Sequence, residues 1–140
     1  MSFCTSREIA ADPSRVFAAF KDPARFAAWW GPAGFTNTFD VCEFKAGGLW
    51  SYVMHGPDGK TYRNESVFRE LEPDRRLVID HVSLPRYVLT VTLQPTDSGG
   101  TLVEWNQAFE KPEVARAIAH IVVPANEQNL DRLTAEVLRT

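Results

Sequence analysis

Among the side chains able to do acid–base chemistry, His81 stands out by its position. It continues a series of alternate residues from Leu77 and Ile79, so a strand here turns it toward the same apolar face. A histidine so placed has two readings. It is a core residue satisfied by a backbone carbonyl, or it is a ligand-bonding or acid–base group, because small environmental shifts carry its charge across neutral pH. Asp80 cannot orient it, since strand neighbours point to opposite faces. His55 borders a turn and is expected in solvent, and His120 lies in a helical segment that can present it either way. Three scattered histidines and the two cysteines, Cys4 and Cys42, lack metal-ligand or redox spacing, so no metal or other cofactor is expected. Cys42, between Val41 and Glu43, reads as a small buried hydrophobe. Glu43, Glu65 and Glu104 stand a strand's length or more apart and form no evident carboxylate pair, and Glu65 is read as solvated. No serine occupies a nucleophile elbow, and the glycine pairs lack phosphate-loop spacing. Residue types alone assign no catalytic group.

These side chains sit in a chain of 140 residues, 44 % apolar and 24 % charged, which is enough to bury one core without staples. One domain over residues 1–140 is expected. Fifteen basic against eighteen acidic residues give a net charge of −3, which offers no bulk attraction to nucleic acid or anionic lipid. The uncharged stretch from Phe26 to Phe39 contains two glycines and a proline and is too short to span a bilayer. Met1-Ser2-Phe3-Cys4 lacks a charged region followed by an apolar one, so no secretion signal is read. The expectation is a cytoplasmic, reduced protein with no nucleic-acid or membrane partner.

Three zones position the groups. Phe3 to Ala10 has strand length. Asp12-Pro13 and Asp22-Pro23 each start a short helix, because aspartate caps free first-turn amides and proline tolerates the first helical position. Val16, Phe17 and Phe20 give the first helix its apolar face, and Phe26, Trp29 and Trp30 the second, which must end by Gly31-Pro32. Alternating segments then follow at Thr36–Phe44, Leu49–His55, Thr61–Leu71, Arg76–Ser83, Arg86–Gln94 and Thr101–Phe109, separated by Gly, Pro and Asp turn residues. They predict an antiparallel meander that curls and leaves a concave face. Pro112 to Leu138 reads as helix, with Leu130, Leu133 and Val137 on one stripe that Val122 and Asn126 extend backwards. Pro124 predicts a kink or break within it.

The class is α+β. With these residues, the order resembles the helix-grip fold of the START and birch-pollen-allergen (Bet v 1-like, SRPBCC) superfamily. Within it the chain resembles the heat-shock protein 90 ATPase activator-homologue family. The matching pieces include Val16-Phe17-Ala18-Ala19-Phe20, Trp29-Trp30-Gly31-Pro32, Gly47-Gly48-Leu49-Trp50, Gly56-Pro57-Asp58-Gly59, Glu72-Pro73-Asp74-Arg75-Arg76-Leu77, Gly99-Gly100-Thr101 and Leu130-Asp131-Arg132-Leu133. These are caps, turns and core positions. The resemblance implies about seven strands wrapped around a long C-terminal helix, with two short helices after the first strand. Three departures bear on the interior: Glu43-Phe44-Lys45-Ala46 replaces a common Asp-Leu-Arg-Pro, Ser66 replaces a common Gly, and Ala125-Asn126 replaces a common Gly-Trp. Loss of that tryptophan opens space or places an amide on the buried stripe.

A sheet gripping one helix encloses a cavity, and in this superfamily the cavity is the usual ligand site. By strand parity the expected lining is Trp50, Tyr52, Met54, Tyr87 and Trp105, with His81, Gln107 and Asn126 as polar points and Trp29, Trp30 and Phe35 near the mouth. Plain core packing is the competing reading for each aromatic. The primary functional expectation is a stand-alone domain that binds a small hydrophobic or aromatic molecule. The alternative is a cyclase, aromatase or dehydratase using His81 or Tyr87, and a co-chaperone acting on the heat-shock ATPase ranks third. The first strand or an exposed Trp29-Trp30 edge would support a homodimer.

Overall fold

Asp12 and Asp22 each stand ahead of a proline, and each caps the helix that follows. In the computed structural model, which describes residues 1–139, the Asp12 carboxylate accepts from the Arg15 amide at 2.9 Å and starts α1 (Pro13–Lys21). Asp22 accepts from the Ala24 amide at 3.0 Å and starts α2 (Pro23–Trp29). Each carboxylate satisfies a first-turn N–H that has no partner inside its helix. The second helix closes with the Trp30 amide on the Phe26 carbonyl, and Gly31 then turns away at φ +99°. Only glycine takes that conformation without strain, and a Cβ there would come within 2.9 Å of the Met54 methyl carbon.

The strands are β1 (Ser2–Ile9), β2 (Thr36–Cys42), β3 (Leu49–His55), β4 (Thr61–Glu72), β5 (Arg76–His81), β6 (Tyr87–Pro95) and β7 (Thr101–Phe109). All neighbours pair antiparallel in one curved sheet of order β1-β7-β6-β5-β4-β3-β2. The expected meander is therefore present from β2 to β7, and β1 returns beside β7, with Thr5 opposite Trp105. Register shifts at Phe39/Val41 and Phe68/Glu70 bend the far side of the sheet.

Two strands stop short of their expected ends. β2 ends before Phe44, which leaves the ladder to pack at 5.7 Å from the Phe17 ring and 5.1 Å from the Phe68 ring. β5 ends before Val82 and Ser83, whose amides share the single carbonyl of Glu65. The remaining strand ends differ from expectation by one residue at most.

The last element, α3 (Pro112–Leu138), is continuous, so the break expected at Pro124 does not occur. Both Pro124 and His120, whose carbonyl loses its helical donor, are exposed, and water can serve that carbonyl. Leu130 and Leu133 are fully buried and Val137 nearly so, which anchors the C-terminal half on the sheet as the stripe predicts. Among the described residues no helix is long and apolar enough to cross a membrane.

Candidate functional site

Two apolar clusters fill the space between sheet and α3. The larger is aromatic, built on Phe26, Trp29, Trp30, Trp50, Tyr52 and Phe68, and the smaller gathers Phe109, Ala115 and Val122 with Phe3 and Ile118. Tyr87 packs against both. At the seam lies a cavity of about 130 Å³. Its wall takes Trp30, Leu89 and Trp105 from the larger cluster and Val122 from the smaller.

Periodicity explains who lines it. Tyr87 and Leu89 alternate on β6, and Trp105 and Gln107 alternate on β7, where Leu89 is the cross-strand partner of Gln107. Val122, Ala125, Asn126 and Asn129 share one face of α3 at helical spacing. Ala125 offers little volume, and Asn126, 6 % exposed, is the amide that the missing tryptophan leaves on the buried stripe.

The rim is the loop after α2, and α3 holds it by hydrogen bonds. Asn129 Oδ1 accepts from the Gly31 amide at 2.9 Å, and Gln128 Oε1 accepts from the Ala33 amide at 3.0 Å. The Arg132 guanidinium donates to the carbonyls of Ala28, Trp30, Gly31, Pro32 and Phe35 at 2.8–3.2 Å. Partial burial lowers the Arg132 pKa from its ordinary value.

Among the described residues, four buried polar atoms of cavity-lining side chains make no hydrogen bond within the protein: Trp30 Nε1, Trp105 Nε1, Gln107 Oε1 and Asn126 Nδ2. Burial pushes the phenols of Tyr52 and Tyr87 up, so both keep their protons at neutral pH.

The eight expected site residues divide. Met54, Tyr87, Trp105, Gln107 and Asn126 line the cavity. Trp50 and Tyr52 lie deeper, stacked 4.1 Å apart in the solid aromatic core, with Phe26 4.6 Å from Trp50 on the α2 side. His81 lies behind Tyr87, ring on ring at 4.3 Å and 9°, and is not part of the wall. Its Nδ1 is 2.9 Å from the Pro85 carbonyl, and its Nε2 is 2.7 Å from Asn64 Oδ1. The backbone-carbonyl reading therefore describes its surroundings, and burial lowers its pKa below the ordinary 6.5 despite the Pro85 contact. Asp80 faces the opposite side, as strand parity requires, and pairs with Arg69 and Arg86. Around the mouth, Trp30 joins the wall, whereas Trp29 is core, donating to the Ala19 carbonyl at 2.9 Å. Both tryptophans are buried, which corrects the idea of an exposed Trp29-Trp30 edge for dimerisation. Sequence reasoning missed Asn129 and Arg132. Asn129 is the next step of the stripe through Val122 and Asn126, and Arg132 lies within the quoted Leu130-Asp131-Arg132-Leu133 piece.

Residues 10–137 match the family model described as Activator of Hsp90 ATPase homolog 1-like protein. A solved structure from Arthrobacter aurescens is 29 % identical with a TM-score of 0.90, covering 99 % of this chain and 87 % of that one. One from Rhodobacter sphaeroides is 27 % identical with a TM-score of 0.82, covering 96 % and 89 %. An AHSA1-like protein from Aeromonas hydrophila, 21 % identical with a TM-score of 0.74, covers 98 % and 92 % and shares the fold. No curated protein matches the chain.

Proposed function

This chain belongs to the Activator of Hsp90 ATPase homolog 1-like family, and from that membership and the space beneath α3 we propose that it binds a small hydrophobic or aromatic molecule. The observation that carries the reading is the cavity of about 130 Å³ between the two apolar clusters, walled by Trp105, Leu89 and Val122. An engineered protein cavity of ~150 Å³ lined by apolar side chains takes up benzene, whereas drug-sized ligands fill ~300–1,000 Å³. The expected guest is therefore of single-ring size.

The alternative enzyme asks for an acid–base group at the guest. Tyr87 has the position, but burial holds its proton on the phenol. His81 stands one ring behind, with both nitrogens engaged. The co-chaperone reading rests on the family description alone.

Thermal melts with single-ring compounds, run beside NMR titration of the tryptophan indole N–H signals, test the reading. A guest should raise Tm and move the Trp30 and Trp105 signals in the natural chain. Neither effect should occur in Ala125→Leu, which fills the cavity from α3. A natural chain that responds to no single-ring compound would refute the proposal.

A further inference from the structure

The wall of the cavity is held unevenly. Leu89 and Trp105 stand on paired strands and Asn126 on α3, whereas Gly31 and Pro32 belong to a segment, residues 31–35, in no helix or strand. Among the described residues that segment closes one backbone hydrogen bond of its own, from the Phe35 amide to the Pro32 carbonyl at 3.2 Å. Its distance from α3 rests on side chains of α3: Asn129 and Gln128 hold the amides of Gly31 and Ala33, and Arg132 holds the carbonyls on either side of them. Arg132 makes no ion pair among the described residues, so carbonyls alone meet its charge. It does not line the cavity itself. Ile121 of α3 and Pro32 of the segment do line it, yet both keep exposed surface, which puts the mouth between these two elements.

Resting on the binding reading above, we propose that Arg132 sets the size of guest the cavity admits. It is a positioning residue: it draws the segment against α3 and so fixes how far Gly31 and Pro32 stand from the opposite wall. With the clamp closed the space fits one ring. With the clamp released the segment yields and a second ring fits.

The test compares phenol with 2-naphthol, which share a hydroxyl and differ by one fused ring, by NMR titration of the tryptophan indole signals in the full chain. The natural chain should favour phenol. Arg132→Met should shift the ratio of affinities toward 2-naphthol roughly tenfold, and Arg132→Lys by less. General loosening of the fold would weaken both compounds together and leave the ratio alone. A ratio unchanged in every variant that folds would overturn the role of Arg132 while the hydrophobic-guest reading stands. A natural chain that binds neither compound would overturn both.

Discussion

The guanidinium of Arg132 and the carbonyl of Pro32 are joined at 2.8 Å across one hundred residues of sequence. The same side chain meets four further carbonyls of the Ala28–Phe35 segment. One residue of α3 thus fixes the shape of the cavity's rim. Arg132→Met should cost about 3 kcal/mol in chemical denaturation, because carbonyls facing a missing cation lose hydrogen bonds worth ~1.5–3 kcal/mol each and only some recover water. Arg132→Lys should recover less than half, since a single ammonium cannot fork across five acceptors. Equal stability of the lysine variant and the natural chain would contradict the clamp.

Asn126→Leu should stabilise the guest-free chain. The change removes an unpaired buried Nδ2 and adds methyl groups beside the cavity, a combined gain of about 1 kcal/mol. Urea melts check it, and a loss of stability would mean that Asn126 makes contacts that compensate its burial.

His81 makes stability depend on pH in a defined direction. Its folded pKa lies below 6.5, so the unfolded chain takes up the proton more readily. The contribution is complete above about pH 6.5 and fades as pH falls through that value toward the folded pKa. Between about pH 7.5 and 5.5 the natural chain should lose Tm faster than His81→Gln. Parallel slopes would show that the ring titrates the same way in both states.

The two cysteines should differ in reactivity. Cys4 is exposed, whereas Cys42 is half-buried and its thiol is pushed up to about 11 by desolvation. At pH 8 only ~0.1 % of Cys42 is thiolate, so a thiol-labelling time course should show one fast and one slow phase. Two fast phases would mean that β2 opens readily.

Much of this architecture was legible in the sequence because its signals are local. Asp-Pro pairs state where α1 and α2 begin, and period-two alternation states which face each strand residue takes. Parity does not state depth. Trp50, Tyr52 and Met54 share a face of β3, yet two are sealed in a ring stack and one reaches the cavity. The difference comes from α2, whose Phe26 meets Trp50 but leaves Met54 free to approach Gly31. Asn126 was legible as an amide on the buried stripe, but that its Nδ2 makes no hydrogen bond to the described residues depends on the three-dimensional packing. The Arg132 clamp escaped notice because its acceptors are backbone carbonyls far away in sequence, which no side-chain pattern announces.

The final helix has two unequal footings. From Leu130 onward it is bolted into the aromatic core, whereas ahead of Pro124 it rests on Ala115 and Val122 while Ile121 and Val123 look out to water. A rod held firmly at one end breathes at the other, so its N-terminal amides should trade hydrogen for deuterium well before its C-terminal ones.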